Sequence, residues 1–350
     1  MPVPNKIKIA VVGCGRISVN HFDSLSQLHD DYKLIAVCDT NPLTLNEHKS
    51  KFGVSGYSTI EDLLENEKPD MISLCTPSGL HGSQGVKVAN KKIHVLSEKP
   101  MATHLKDADS LIQACDENGV RLFVVKQNRL NPTIKLVKKA IDKNRFGKIF
   151  FCEVNVFWTR PQSYYDAAKW RGTWEFDGGA FLNQASHYVD LISWLIGHPE
   201  SVCAITGTLE RKIESEDTGS AVIKFRNGAI GSINVTMLTY PKNLEGSITI
   251  IGEKGTVKVG GIAVNEINHW EFSEYDDDDK IVETANYKVE SVYGYGHLGY
   301  YKNVADVLLR GVSPNTDGRD GRKSLELIQA IYMSAKDKKF VNLPLQKLTF

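Results

Sequence analysis

Three short motifs carry residue types that could do chemistry, and they follow one another along the chain: Gly13–Ser18 (GCGRIS), Glu98–Pro100 (EKP) and Asn183–His187 (NQASH). Glycine-rich backbone can cradle phosphate groups, and a lysine amine can accept a proton. An amide and an imidazole one helical turn apart lie on one face of a helix, which can present them to a substrate. Together the motifs predict a site that binds a dinucleotide and moves a proton.

The glycine motif differs from the dinucleotide-binding fingerprint only by serine at its third small position. Gly13 permits a tight turn, Gly15 lets the backbone approach a pyrophosphate, and Ser18 is small enough for helix–strand packing. Asp39 ends the next strand, where its carboxylate would bind the adenosine ribose hydroxyls and repel a 2′-phosphate. We therefore expect NAD rather than NADP. The competing interpretation is that Asp39 only begins the turn before Asn41-Pro42.

Two further loops follow strands of the same predicted sheet. Residues 76–81 (TPSGLH) should contact the nicotinamide side of the cofactor, because ligands lie beyond the carboxyl ends of such strands. For His81 a packing or capping role is an equal alternative. Lys99 should point into the same crevice, where a positive nicotinamide and partial desolvation favour the neutral amine that accepts a proton; the alternative is a surface lysine. The expected cofactor contacts are Gly13, Gly15, Arg16, Ile17, Asp39, Thr76, Pro77, His81, Glu98, Lys99, Gln127, Trp170 and Arg171.

The elements that must position these residues follow from the hydrophobic pattern. Short apolar runs lie at 7–13, 34–39, 71–77, 93–97 and 120–125, and stretches of helical length separate them. This alternation predicts an α/β, Rossmann dinucleotide-binding domain with a parallel sheet over residues 1–128. Longer strand-like runs follow at 149–158, 201–210, 219–225, 229–238, 246–251 and 256–259, with helices at 134–141, 185–196 and around Leu325–Ala335. We expect residues 129–350 to form an α+β substrate-binding and oligomerisation domain with a large, mainly antiparallel open sheet, whose final helix can pack back on the first domain.

Composition excludes several other classes of protein. With 42 basic and 42 acidic residues the net charge is zero, so binding to nucleic acid is not expected. No apolar run approaches the ~20 residues of a membrane span, and the N-terminus lacks a signal-peptide pattern. The six scattered cysteines indicate reduced, buried thiols in a cytoplasmic protein, and no Cys/His cluster has metal-ligand spacing. The run Asp276–Asp279 is interpreted as a solvated loop.

With these motifs the chain resembles, over essentially its whole length, the glucose-fructose oxidoreductase/inositol dehydrogenase (Gfo/Idh/MocA) family. The resemblance implies that Lys99 lies at the reacting carbon of a substrate. The family's helix motif usually reads D-x-x-x-H, and here Asn183 takes the aspartate position. An amide can orient the His187 ring but adds no charge. We therefore assign Lys99 as the catalytic proton acceptor, with His187 hydrogen-bonding the reacting hydroxyl or sharing its proton.

Three segments, at 155–162, 170–174 and 178–190, resemble the bacterial UDP-N-acetyl-2-amino-2-deoxy-glucuronate dehydrogenases. That resemblance implies NAD-dependent oxidation of a sugar 3-hydroxyl in surface-polysaccharide (lipopolysaccharide, O-antigen) biosynthesis. It also implies a homotetramer and, as in some relatives, recycling of bound NAD by 2-oxoglutarate. Cationic and aromatic side chains in this region suit a ligand with a carboxylate and a diphosphate, and equally an ordinary polar surface. The expected substrate contacts are Arg160, Tyr164, Tyr165, Lys169, Asn183 and Gln184.

Two alternatives remain beside this hypothesis. The first is a polyol or inositol dehydrogenase of the same family, against which the missing aspartate argues. The second is a sugar-sensing regulator on the same fold that is not an enzyme. The presence of both Lys99 and His187 argues against a regulator.

Overall fold

The computed structural model describes residues 6–289, 292 and 296–345. Backbone contacts divide the chain into two compact units, Met1–Gln127 with His297–Arg322, and Asn128–Gly296 with Lys323–Phe350. The sequence placed all of 129–350 in the second domain, whereas residues 297–322 group with the first unit. Among the described residues, no helix has both the length and the apolar character that crossing a bilayer requires.

The strands and helices are as follows. The strands are β1 (Ile7–Val12), β2 (Tyr32–Cys38), β3 (Ser55–Tyr57), β4 (Met71–Leu74), β5 (His94–Ser97), β6 (Leu122–Val124), β7 (Ile149–Phe157), β8 (Pro199–Gly207), β9 (Thr218–Phe225), β10 (Ile230–Thr236), β11 (Glu245–Gly252), β12 (Gly255–Gly260), β13 (Glu266–Phe272) and β14 (Val341–Asn342). The α-helices are α1 (Ser18–Gln27), α2 (Pro42–Phe52), α3 (Ile60–Asn66), α4 (Ser78–Asn90), α5 (Leu105–Glu117), α6 (Pro132–Asp142), α7 (Gln162–Asp166), α8 (Ser186–Ile196), α9 (Val282–Ala285), α10 (Gly296–Arg310) and α11 (Gly318–Asp337). Two 3₁₀ turns (Gln127–Leu130 and Asp277–Ile281) and a π-helical turn (Ala180–Gln184) complete the set.

The first unit contains a parallel sheet in the order β3-β2-β1-β4-β5-β6. Its central strands are apolar runs, and residues such as Ile9, Val11 and Ile72 are completely buried. Strands covered on both faces need this continuous apolar character. Strand order reverses between β1 and β4, which opens the crevice where such sheets bind ligands. The predicted Rossmann architecture is confirmed.

Helix α10 belongs to the first unit because its tyrosines bond to the sheet. The Tyr300 hydroxyl donates to the carbonyl of Val124 at 2.7 Å, and the carbonyl of Tyr301 accepts from the Tyr32 hydroxyl at 2.7 Å. Long-range bonds of this kind leave no periodic signal in the sequence.

The second unit contains an eight-stranded sheet in the order β13-β12-β11-β7-β10-β9-β8-β14. Strands β7 and β10 are parallel, and the other neighbouring pairs are antiparallel. The predicted mainly antiparallel sheet is therefore confirmed. Gly228, with φ of +89°, makes the tight turn between β9 and β10. Strand β13 was not predicted, because it lies at the edge of the sheet and none of its residues is buried.

The acidic run is not a solvated loop, so that prediction was wrong. Asp276 caps a 3₁₀ turn in a reciprocal arrangement with Asp279. Lys143 bonds to Asp276 and to Asp278, and Arg145 makes paired bonds to Asp279. These cations follow α6, more than a hundred residues earlier in the chain, so the pairing could not be read from the local charge pattern.

All six cysteines are free, and five of them are buried. The expected burial is therefore confirmed for five of the six. Cys203 is only half-buried.

Candidate active site

The loop after β1 has the backbone that phosphate binding requires. Gly13 has φ of +90°, and a Cβ there would lie 2.7 Å from the Cys75 carbonyl group, so only glycine fits. A Cβ on Gly15 would meet no atom of the described chain within 4 Å, which leaves room for a ligand. The Ser18 hydroxyl donates to the carbonyl of Gly15 at 2.6 Å, and among the described residues no side chain caps α1. The first N–H groups of α1 therefore suit an anion.

The Asp39 carboxylate is held by two backbone N–H groups. One carboxylate oxygen accepts from the backbone N–H of Cys14 at 2.8 Å, and the other accepts from the N–H of Asn41 at 2.8 Å. The side chain is held against the glycine loop while it also starts the turn into α2. A contact between Asp39 and a ribose stays a prediction. Arg16 and Ile17 lie in the same glycine loop, with Arg16 exposed.

The EKP turn is fixed by a buried hydrogen-bond network. Glu98 Oε1 lies 3.0 Å from Nε2 of both His21 and His297, and its Oε2 accepts from the Lys99 N–H at 3.0 Å. Burial by itself raises the pKa of Glu98, but hydrogen bonds from the two histidines outweigh it and hold the pKa well below its usual value. Burial lowers the pKa of His21, whose Nδ1 lies 2.8 Å from the Tyr301 hydroxyl. These are metal-ligand residue types, but hydrogen bonds account for their arrangement.

His81 connects the loops that follow β4 and β5. Its Nδ1 lies 2.8 Å from the carbonyl oxygen of Pro100, and its Nε2 lies 2.8 Å from that of Thr76. Burial lowers the pKa of His81, while the two carbonyl acceptors oppose that shift. The ring thus joins Thr76 and Pro77 to the segment that carries Lys99. A cofactor contact by His81 itself stays a prediction.

Gln127 follows β6, and its buried side-chain amide shows whether a nicotinamide would fit at this position. The residue is 1% exposed, yet neither its amide nitrogen nor its oxygen bonds to any described residue. Buried amides in proteins almost always have partners. A ligand carboxamide, which both donates and accepts, would satisfy this group.

Five of the predicted ligand-contact residues form one cluster in the second unit. Arg160 Nε donates to the Gln184 carbonyl at 3.0 Å, and the Gln184 amide donates to the Tyr164 hydroxyl at 3.2 Å. The Arg171 guanidinium carbon lies 4.1 Å from the centre of the Tyr164 ring, and that of Arg160 lies 5.4 Å from it. Tyr165 packs edge-on against Tyr164. Two guanidinium groups around one aromatic ring suit an anionic ligand.

Two further predicted residues, Lys169 and Trp170, lie next to this cluster in the chain. Trp170 stacks with Arg171, whose guanidinium carbon is 5.0 Å from the ring centre. Lys169 is exposed.

Asn183 lies in the π-helical turn that precedes α8, and it has a carboxylate partner that sequence reasoning missed. Its amide nitrogen donates to Asp177, a buried residue that also accepts from the Gly172 N–H at 2.7 Å. Because a carboxylate only accepts, the Asn183 oxygen faces away from Asp177. A carboxylate therefore does lie beside position 183, but it comes from six residues earlier in the chain. His187 follows on α8 and is 7% exposed.

Helix α8 is anchored by a buried ion pair. Arg129 donates two parallel hydrogen bonds to Asp190, at 2.7 Å and 2.8 Å, and their side chains are 9% and 3% exposed. This paired geometry fixes both distance and direction. The rotation of the helix that carries His187 is thereby set.

The first unit thus collects the glycine loop, Asp39, the EKP turn and Gln127, and the second unit collects Asn183, His187 and the arginine–tyrosine cluster. A doubly wound parallel sheet with this glycine loop and acidic strand end defines the class of NAD-binding Rossmann dehydrogenases. Two family models match the chain: the oxidoreductase family NAD-binding Rossmann fold over residues 7–126, and the oxidoreductase family C-terminal alpha/beta domain over residues 138–343. The chain belongs to this Gfo/Idh/MocA oxidoreductase family.

Similar proteins include two solved dehydrogenases. The WlbA dehydrogenase from Bordetella pertussis, solved with NADH and UDP-GlcNAcA, is 57% identical, with a TM-score of 0.96 over 98% of this chain and 99% of that chain. The WlbA dehydrogenase from Chromobacterium violaceum, with the same two ligands, is 55% identical, with a TM-score of 0.94 over 97% of each chain. Myo-inositol 2-dehydrogenase from Thermotoga maritima is 26% identical over 96% of this chain and 98% of its own length.

Proposed function

We propose that this protein oxidises the 3-hydroxyl of UDP-N-acetylglucosaminuronic acid (UDP-GlcNAcA) to a 3-keto sugar, with NAD as the oxidant. The observation that carries this proposal is identity of 55–57% to dehydrogenases solved with NADH and UDP-GlcNAcA. The arginine–tyrosine cluster supports it independently, because it offers two cations to a substrate with a carboxylate and a diphosphate.

The first unit would hold the cofactor. Gly13, Gly15, Arg16 and Ile17 would hold the pyrophosphate at the N-terminus of α1, and Asp39 the adenosine ribose. The nicotinamide side would be contacted by Thr76, Pro77, His81, Glu98, Lys99 and Gln127. Trp170 and Arg171 stay predicted cofactor contacts. When bound, NAD supplies the acceptor for the hydride that leaves the sugar carbon.

Lys99 would take the proton from the sugar hydroxyl at its Nζ. The buried network on Glu98 holds the backbone of Lys99 in place. His187 would hydrogen-bond the same hydroxyl oxygen and share its proton. General acid–base groups of this kind contribute ~10²–10⁴ in rate.

The second unit would orient the sugar nucleotide. Arg160, Tyr164, Tyr165 and Lys169 would bind its anionic groups, and Asn183 and Gln184 its sugar. The Asn183 oxygen, turned away from Asp177, would accept a hydrogen bond from a sugar hydroxyl.

A polyol dehydrogenase is the second candidate function, supported by the similarity to myo-inositol 2-dehydrogenase. A neutral polyol has no anionic group for the two guanidinium groups to bind.

We also propose a homotetramer built through the second unit's sheet. The strand registers place Ile205, Val222 and Ile230 on one face, where they are 79%, 49% and 50% exposed in the single chain. Apolar side chains collected in this way suit burial against another copy.

The free cysteines support a reducing, cytoplasmic compartment. We further propose that the protein acts in surface-polysaccharide synthesis and that 2-oxoglutarate re-oxidises its reduced cofactor.

A substrate panel tests the proposed function. UDP-GlcNAcA, UDP-GlcNAc and myo-inositol are offered with NAD, with and without 2-oxoglutarate, while reduced cofactor and ketone product are measured. Of the three compounds, we expect only UDP-GlcNAcA to be oxidised. Lys99→Met should lose more than nine tenths of the activity with NAD affinity within a few-fold, and exposed Lys91→Met serves as the control. Turnover only with the polyol would favour the second candidate, and NAD binding without turnover would favour a regulator.

A further inference from the structure

A buried carboxyl group lies at the start of the π-helical turn, and sequence reasoning missed it. Glu216 is 3% exposed, and its Oε1 accepts from the Phe181 N–H at 2.8 Å and from the Tyr332 hydroxyl at 2.9 Å. The Tyr332 hydroxyl in turn accepts from the Leu182 N–H at 3.1 Å. The backbone carbonyl of Glu216 accepts from the Ala180 N–H at 3.0 Å. Three successive N–H groups of the turn are therefore held by Glu216 and Tyr332.

These contacts perform the task that a helix cap performs elsewhere. The first N–H groups of a helical segment have no partner within it, and when buried they need one. The preceding residue, Gly179, offers no side chain for capping. A Cβ at Gly179 would lie 1.6 Å from Glu216 Oε2, so glycine is required for the carboxyl group to reach the turn. The second glycine of the Gly178-Gly179 pair is thus explained by Glu216.

The same short turn carries the side chains proposed to bind the sugar. Asn183 and Gln184 are two of its five residues, and the Asn183 N–H bonds to the Gly179 carbonyl at 3.0 Å. The turn leads directly into α8, where His187 is the second residue. π-helical turns are uncommon and occur frequently at functional sites. The direction of the Asn183 and Gln184 side chains thus depends on how the first three N–H groups are held.

The neighbouring residues 214 and 215 hold the loop that leads into the turn. The backbone N–H groups of Glu214 and Ser215 both donate to the Gly172 carbonyl at 3.1 Å. The Ser215 hydroxyl lies 3.0 Å from the carbonyls of Gly172 and Gly178. The segment 214–216 therefore fixes both the loop and the first turn of the helix that follows it.

We propose that Glu216, together with Tyr332, is a positioning residue for substrate binding: by holding the N–H groups of Phe181 and Leu182, it sets the orientation of Asn183 and Gln184. Glu216 acts through the turn and is not a catalytic residue. The identity of the sugar rests on the proposed function, but the ordering of the turn does not.

Three variants separate the elements of this proposal. Glu216→Gln keeps an oxygen acceptor in the same shape, Glu216→Leu removes it, and Tyr332→Phe removes only the hydroxyl group. Glu200→Gln and Glu200→Leu, at a carboxylate that pairs with Lys224 on the surface, are the matched controls. Hydrogen exchange of the amides at 180–184 is measured on each protein without substrate. NAD affinity, and KM and kcat for UDP-GlcNAcA, are then measured.

We expect exchange at 180–184 to rise about tenfold or more in Glu216→Leu and Tyr332→Phe, as loss of a buried hydrogen bond predicts. The same variants should raise KM for the sugar nucleotide about tenfold and leave NAD affinity within a few-fold. Glu216→Gln should restore exchange and KM to near the wild-type values. Unchanged exchange in both Glu216→Leu and Tyr332→Phe would overturn the proposal, as would a KM unaffected by a loosened turn.

If Glu216→Leu does not fold, Tyr332→Phe carries the test alone. Absence of UDP-GlcNAcA turnover in the wild-type protein would contradict the proposed function. The exchange measurement would still decide whether Glu216 orders the turn.

Discussion

Replacing Glu216 with glutamine should change how the stability of the second unit depends on pH. Burial raises the pKa of Glu216 from 4.5 to about 7, against the hydrogen bonds from Phe181 and Tyr332. The folded protein therefore binds a proton that the unfolded chain has already released. This stabilisation is complete below pH 4.5 and is lost as pH rises through about 7. At about 1.4 kcal/mol per pKa unit, the difference of roughly 2.5 sets an upper limit of about 3.5 kcal/mol.

The chain offers a selective probe for this measurement. All five tryptophans, at 158, 170, 174, 194 and 270, lie in the second unit. Urea unfolding followed by tryptophan fluorescence at about pH 5 and about pH 8 therefore reports on that unit. Relative to Glu216→Gln, the wild-type protein should lose up to about 2.5 kcal/mol of unfolding free energy between the two pH values, which span most of the titration. Glu200→Gln should follow the wild type, and equal pH dependence of wild type and Glu216→Gln would refute the reasoning.

Substitutions at Asp39, Arg129 and Asn183 should each change a different property of the protein. Asp39→Ala should weaken NAD binding and improve the relative use of NADP; a wild-type protein that binds both equally would show that Asp39 does not face the ribose. Arg129→Met should destabilise the tryptophan-monitored transition by about 3–5 kcal/mol, because it leaves Asp190 buried without its cation. The double variant with Asp190→Leu should recover much of that loss, and a double variant as unstable as the single would contradict this account. Asn183→Asp should raise KM for UDP-GlcNAcA about tenfold or more near neutral pH, because it sets a second carboxylate beside Asp177 and repels an anionic sugar. An unchanged KM, with the acidic limb of the pH–rate profile moved to higher pH, would show instead that residue 183 acts on His187.

The sequence predicted the first unit well because its signals are local. Strands such as β1 and β4 are apolar runs that follow one another at regular intervals, and the glycine loop lies directly after β1. The grouping of α10 with that sheet was not predicted, because it depends on tyrosine hydrogen bonds across about 270 residues.

The candidate site was predictable only where residue type and spacing carry the chemistry. Lys99, Asn183 and His187 are recognised from motifs. Asp177 and Glu216 are not, because each acts through a hydrogen bond that no sequence motif predicts. The π-helical turn at 180–184 also escaped prediction, because one apolar segment runs through the turn and into α8 without a break.

The position of the oxidised carbon can be read from an isotope label. UDP-GlcNAcA carrying deuterium at C3 is incubated with the protein and NAD, and product and cofactor are analysed by mass spectrometry and NMR. We expect the deuterium on the reduced nicotinamide and a ketone at C3 of the sugar. Deuterium that stays on a sugar oxidised at another carbon, or a sugar recovered unchanged, would contradict the assignment of this protein as a UDP-sugar-acid 3-dehydrogenase.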